Sequence, residues 1–372
     1  MSDTGDKIGE TERGQHHRAR DNPDKEARLR EIRREAELHG RVGSRNASYD
    51  VTSGAIAGAP FPVASAETGY YGTPLLKKSQ WTMEIPAYFF VGGAAGAAAV
   101  IASVGNLTGA DKGLVQDARW LAAIGGAISP ALLISDLGMP SRFLNMLRVF
   151  KIQSPMSVGS WTLVAFSNAA AASALAGMLQ SRYRRAGAGR MFRVIGNASE
   201  AVAALTGLVL STYTGVLIGA TTVPVWSENA ATLPAHFAAS GLGAAVSILE
   251  LKGHESNRAL NALGIAAAAA ETIVGVRIES QDKRSLRPLK HGHSGGLVRL
   301  GGLLSGPLPL TLRLLAGSPK KHHSKKSWRK NLRRAAALST VTGSLLTRVA
   351  WLEAGKASQK DPAPLLELPT SQ

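Results

Sequence analysis

The distribution of charge along the chain separates it into blocks. Residues 85–110 contain no Asp, Glu, Lys or Arg, and neither do residues 152–181. Apolar runs between charged blocks place eight spans at about 85–105, 118–138, 158–179, 195–219, 231–250, 257–276, 296–317 and 334–354. Each approaches the roughly 20 residues that a helix needs to cross a bilayer. The first five are free of charge or nearly so, whereas spans 6, 7 and 8 hold Glu271, Arg313 and Arg348. The pattern predicts an all-α, polytopic integral membrane helix bundle of about eight transmembrane helices. It divides into a charged tail (1–76), a first four-helix bundle (77–220), a second (221–355) and a C-terminal tail (356–372). Within the first tail, opposed charges at helical spacing over 24–38 predict a short solvated helix.

An even number of spans brings both termini to one side, here called the front. The loops opposite, the back, hold 17 Lys and Arg with span edges included, against 12 at the front. That excess points to a cytoplasmic back. The long charged tail points the other way, so the orientation stays open. The opening MSDTGDKIGE is too polar for a signal peptide. The chain has a net charge of +17, but its basic residues flank apolar spans as membrane topology requires, so nucleic acid is not the expected partner. Membrane lipid is.

There are no cysteines in the 372 residues. Disulfides, cysteine-ligated iron–sulfur clusters, covalent haem and thiolate zinc are therefore excluded. Only His236 lies within a span, so a haem held by two axial histidines is not expected, nor is a metal site. The spans are rich in Gly and Ala, as in GGAAG at Gly92, Gly93 and Gly96, which predicts close helix packing.

Several polar and aromatic residues share the front depth. Glu84 opens span 1 and Asp136 closes span 2. Arg142 follows in SDLGMPSRFLNMLRVFK. Ser157 and Trp161 open span 3, Tyr213 lies late in span 4, Trp226 and Glu228 sit in PVWSEN, and His236 lies early in span 5. Ionisable groups at membrane depth need a partner or a function. A quinone needs an apolar slot, hydrogen-bond donors at its oxygens and a proton route. Tyr213 and His236 supply donors, and Glu84 and Asp136 can pass protons. Each residue also has a structural reading: interface aromatics for Trp161 and Trp226, an ion pair for Asp136 and Arg142, a helix-end bond for His236, a helix-dipole contact for Glu84. The deeper charges Glu200, Glu271, Arg313 and Arg348 either pair, Glu200 with Arg313 and Glu271 with Arg348, or mark a proton path.

The stretches YYGTPLLKKSQW, EIPAYFFVGGAAG, DLGMPSRFLNMLRVFKIQSPMSVGSW, YTGVLIGATTVPVW and WLEAGKASQKDP give the chain, over about 70–362, a resemblance to the NrfD-like polysulfide-reductase membrane-subunit family. It looks most like the version that accompanies formate-dehydrogenase-type molybdopterin oxidoreductases. The resemblance implies a multi-pass subunit of the bacterial inner membrane. Such a subunit exchanges electrons between a ferredoxin-like four-iron iron–sulfur subunit, wired to a molybdopterin catalytic subunit, and the quinone pool (menaquinone or ubiquinone). It implies no redox centre in this chain, so the chain is either a non-catalytic subunit or a quinone-site subunit. It places Glu84, Asp136 and Arg142 in or beside a quinone pocket near the docking face, with Trp161, Tyr213 and His236 as further lining. Two other readings remain: a membrane anchor and assembly subunit without quinone chemistry, and a transporter, whose sites lie at broken helices, which Pro130 within span 2 and the charge-interrupted spans 6–8 permit, although no inverted repeat is visible.

Overall fold

The computed structural model describes residues 76, 79, 81–137, 141–183, 188–317 and 327–360. The short helix expected at 24–38 lies outside them. The described residues fall within one unit of the chain, 64–372. They form helices joined by short turns, with no strand among them. The long elements are α1 (Glu84–Leu107), α2 (Lys112–Asp136), α3 (Pro155–Arg182), α4 (Ala188–Gly219), α5 (Leu233–Leu249), α6 (Arg258–Ser280), α7 (Gly292–Ser305), α8 (Pro307–Ala316) and α9 (Ser327–Ser358). By length and composition, α1, α2, α3, α4 and α6 are suited to cross a membrane. The chain is an all-α membrane bundle.

Helix starts follow local chemistry. The Asp111 side chain accepts from Leu114 N–H at the start of α2, Ser154 does the same for Ser157 at α3, and Asn257 caps α6 through Ala259 and Leu260. Each satisfies backbone donors that a helix start leaves open. Pro130 does not break α2. It has no N–H for the carbonyl of Gly126, and the Ser167 hydroxyl of α3 donates to that carbonyl at 2.6 Å instead. The support that Pro130 lent to a transporter is thereby removed.

The seventh expected span is not one helix. It divides at Gly306 into α7 and α8, because Gly306 adopts a non-helical conformation (φ −106°, ψ −97°) ahead of Pro307. The fifth helix ends in a π-helical turn, Glu250–His254, with Gly253 at φ 122°. That turn is the point at which the chain reverses into α6.

Helix α1 is the centre of the bundle and touches α2, α4, α5 and α9. Its small residues permit this. A Cβ on Gly96 would collide with the Gly207 carbonyl of α4, and one on Gly241 of α5 would meet the Gly93 carbonyl at 2.8 Å. The glycines serve backbone-to-backbone packing on both sides of α1. Large apolar side chains such as Leu205, Leu208 and Ile273 point outward, as lipid-facing positions do.

Candidate functional site

Two buried polar groups occupy the front half of the bundle, on opposite sides of α1. The first lies among the front ends of α1, α2, α3 and α4. Tyr88 and Tyr213 are both buried, and their hydroxyls are hydrogen-bonded at 3.2 Å. The Tyr213 ring occupies the space where Gly159 of α3 lacks a side chain, and the Tyr88 ring lies against Gly92. Gly159 therefore positions Tyr213. Two hydroxyls joined by one bond leave one O–H proton uncommitted, so the pair can donate to a further acceptor. Ser129 of α2 is fully buried in the same neighbourhood, and its hydroxyl has no hydrogen-bond partner among the described residues.

One helical turn from Tyr88, about 6 Å along the axis, Glu84 begins α1. Thr82 precedes it, and the Asp136 carboxylate accepts from both the Thr82 backbone N–H (3.2 Å) and its hydroxyl (2.5 Å). Glu84 and Asp136 are both half-buried. The ends of α1 and α2 are thus tied where two carboxylates overlie the tyrosine pair. Ser157 fastens the adjoining loop: its hydroxyl donates to the Val149 carbonyl and accepts from Lys151 N–H. The side chain of Arg142 lies outside the described residues. Trp161 is 40% exposed and packs edge-on against Phe150, the placement of an interface aromatic.

The second group lies across α1, among α5, α6, α7 and α9. His236 Nδ1 is 3.5 Å from Glu271 Oε1, and Glu271 Oε2 accepts from the Ser305 hydroxyl at 2.9 Å. Arg348 is buried within electrostatic reach of Glu271. It donates to the Phe237 carbonyl at 2.8 Å and stacks over the Phe237 ring at 4.0 Å. His236 Nδ1, Glu271 Oε1, Arg348 Nε and Arg348 Nη1 have no hydrogen-bond partner among the described residues. His236 is therefore tied to Glu271 rather than placed with Tyr213, because Phe89 of α1 and Phe237 of α5 pack together between the two groups. Trp226 is buried, not an interface aromatic: its indole donates to the Trp351 carbonyl at 2.8 Å and its ring stacks on Trp81.

The expected pairing of Glu200 with Arg313 does not occur. Glu200 pairs with Arg119 of α2, and Arg313 is bidentate to Glu250, with both contacts at 2.7 Å. The cause is helix neighbourhood: α4 packs on α3, α1 and α5, whereas α8 packs on α9, α6 and α7. In the charge pattern Glu250 marks only the end of the fifth span, and Tyr88 within EIPAYFF carries no charge. The spacing His236, Ser240, Ser247, Glu250 on one face of α5 was the available signal for Glu250. For Tyr88 it was the helical offset from Glu84.

Among the described residues no group of three His, Cys, Asp or Glu side chains is placed to hold a metal. The family model for NrfD, polysulphide reductase, matches residues 75–258. Over that stretch the chain belongs to the NrfD family. The matched region contains α1 to α5, and hence the tyrosine pair, both front carboxylates and His236. The family consists of membrane subunits of polysulfide-reductase-like complexes that work with iron–sulfur and molybdopterin oxidoreductase subunits. No curated protein matches the chain.

Proposed function

We propose that this chain is the quinone-reactive membrane subunit of a multisubunit molybdopterin oxidoreductase. It would exchange electrons between a four-iron iron–sulfur subunit and the quinone pool of a bacterial inner membrane. Formate-dehydrogenase-type chemistry in the partner is part of the reading. Eight crossings are too, with α5, the α7–α8 pair and α9 completing the five apolar helices. The observation that carries it is the buried Tyr88–Tyr213 hydroxyl pair beneath Glu84 and Asp136, at the front ends of four helices.

The residues fit a quinone. The buried tyrosine pair lies among the apolar front ends of α1 to α4, and its uncommitted hydroxyl proton suits a carbonyl oxygen. A quinone bound there accepts or returns two electrons and two protons. The chain's own part is binding and proton supply. The tyrosine pair orients the oxygen by hydrogen bonding. Asp136 and Glu84, half-buried at the membrane edge, hold protons within reach of the front surface and restore those drawn through the tyrosines. Thr82 holds the Asp136 carboxylate in place. Arg142, in the short helix Ser141–Met146 after α2, is assigned to the same mouth, and Trp161 marks its depth in the interface.

The test is quinone-linked turnover of the purified complex carrying Asp136→Asn. Electron entry from the substrate side is followed separately with a soluble dye. The expected result is a fall in quinone-linked turnover of about 10²-fold with dye reduction preserved. Unchanged quinone-linked turnover in the assembled variant would overturn the assignment and leave a bare anchor.

A further inference from the structure

The half of the molecule that the quinone reading does not use carries its own line of buried polar groups. On α5, His236, Ser240, Ser247 and Glu250 follow each other at helical spacing along one face and all are buried. They extend over about 21 Å at 1.5 Å per residue. On α9 a matching stripe runs through Thr340, Ser344, Thr347 and Arg348. The two meet at mid-depth, where Ser240 and Ser344 are hydrogen-bonded at 2.8 Å. Gly243 lets α5 approach closely enough that a Cβ there would meet Thr340 at 3.0 Å and Ala267 of α6 at 3.5 Å. At the back end the Glu250–Arg313 pair is followed by Glu255, which is bonded to Lys330 on the back surface. At the front end stands the group of His236, Glu271, Ser305 and Arg348, one turn from the start of α5.

The hydroxyls of the stripe have a structural use, Thr340 and Thr347 donating to the carbonyls of Ala336 and Gly343, but each unpaired polar atom in a bundle core is costly. The front group is the part that structure alone does not explain. Glu271 and His236 face each other with unpartnered atoms at 3.5 Å, a spacing that one shared proton would close. The α7–α8 break sets Ser305 against Glu271, an arrangement in which discontinuous helices commonly form ion sites. A metal cation is disfavoured: Glu271 and Ser305 supply too few oxygens, and Arg348 already brings a positive charge. A proton needs neither a cage nor a vacant charge balance. With Glu271 ionised and Arg348 charged the group is neutral, and one added proton resides on His236 or Glu271.

We propose that the seam between α5, α6 and α9 is a proton-transfer line, with Glu271 and His236 as its protonatable centre. The line is separate from the quinone end and open towards the back through Glu250, Arg313 and Glu255. The ligand is the proton. The groups facing Glu271 are His236 from α5, Ser305 from α7 and Arg348 from α9.

Two measurements on the intact complex test this. The first is proton movement per electron in proteoliposomes during quinone-linked turnover, comparing the parent with Glu271→Gln. The variant is expected to keep turnover in detergent while proton movement per electron falls by about half or more. An unaltered ratio overturns the proposal. The second needs no variant. Dicyclohexylcarbodiimide, an apolar reagent for protonated carboxyls, is added to the parent complex between about pH 5 and pH 9, and the modified peptides are read by mass spectrometry. Modification of Glu271 that rises as the pH falls, with Glu250 protected by its bidentate arginine, supports the line. Glu271 unmodified at every pH overturns it. Loss of quinone-linked turnover in the parent would defeat the proposed function while leaving the carbodiimide result to decide the seam.

Discussion

The buried pair Glu250–Arg313 allows a quantitative test of how charge is held in this bundle. Both side chains are 0% exposed, and the guanidinium makes two contacts of 2.7 Å with the carboxylate. It also lies flat against Gly264 and reaches the Ser247 hydroxyl at 3.4 Å. Replacing Glu250 by Ala removes the only carboxylate the arginine contacts among the described residues. A buried charge left without its partner costs about 3–5 kcal/mol. Since about 1.4 kcal/mol is a factor of ten, the open state should gain population by about 10²–10⁴-fold. The double change Glu250→Leu with Arg313→Met removes both charges, keeps comparable volume, and should restore the parent stability to within about 1 kcal/mol. The natural chain has no cysteine, so Ala337→Cys, at a fully buried site on α9, gives a background-free reporter. Its rate of reaction with a thiol reagent in mild detergent follows the population of the open state. The single change should accelerate labelling by at least about 10²-fold, and the double change should not. Equal acceleration in both variants, or none in the single variant, would show that charge compensation is not what the pair provides.

Three further outcomes follow from particular contacts. Tyr213→Phe removes the hydroxyl bonded to Tyr88. It should cost about 1 kcal/mol of stability, and a raised KM for the quinone with a fall of about tenfold in kcat/KM is expected from steady-state assays. Ser167→Ala deprives the Gly126 carbonyl of its donor beside Pro130 and should destabilise the bundle by about 0.5–1.5 kcal/mol in the labelling assay. Glu255, in the turn outside the spans, is pushed up by partial burial. The Lys330 hydrogen bond, a backbone bond and the charges of Lys330 and Arg334 outweigh that and hold its carboxyl below the usual value. Its contribution is thus complete above the ordinary carboxylate pKa of about 4.3 and is lost as the pH falls through the lowered folded value. A Glu255→Gln variant should lack that acid-side loss when labelling is measured against pH.

The spans were legible because a run of some 20 residues without charge has few ways to bury itself other than lipid, and α1 to α4 lie where the runs lie. The front depth of Glu84, Asp136 and Tyr213 was legible too, since alternating spans assign each residue an end of the bundle. Their separation from His236 was not. That follows from the rotation of α1, which turns Tyr88 and Gly92 to one side and Phe89 and Gly93 to the other.

By itself, then, the sequence determined the class and the apolar runs that became α1 to α4 and α6, because these depend only on local hydropathy and helical rise. Partner choice depended on which helices touch. Glu200 meets Arg119 because α4 and α2 both pack on α1 and α3, and Arg313 meets Glu250 because α8 packs on α6, which follows directly on the Glu250–His254 turn. The break at Gly306 was likewise decided in three dimensions: Ser305 reaches Glu271, and Gly306 lies so close to Thr272 that a Cβ there would meet its backbone nitrogen at 3.1 Å. Such contacts join residues tens of positions apart, and no periodicity along the chain encodes them.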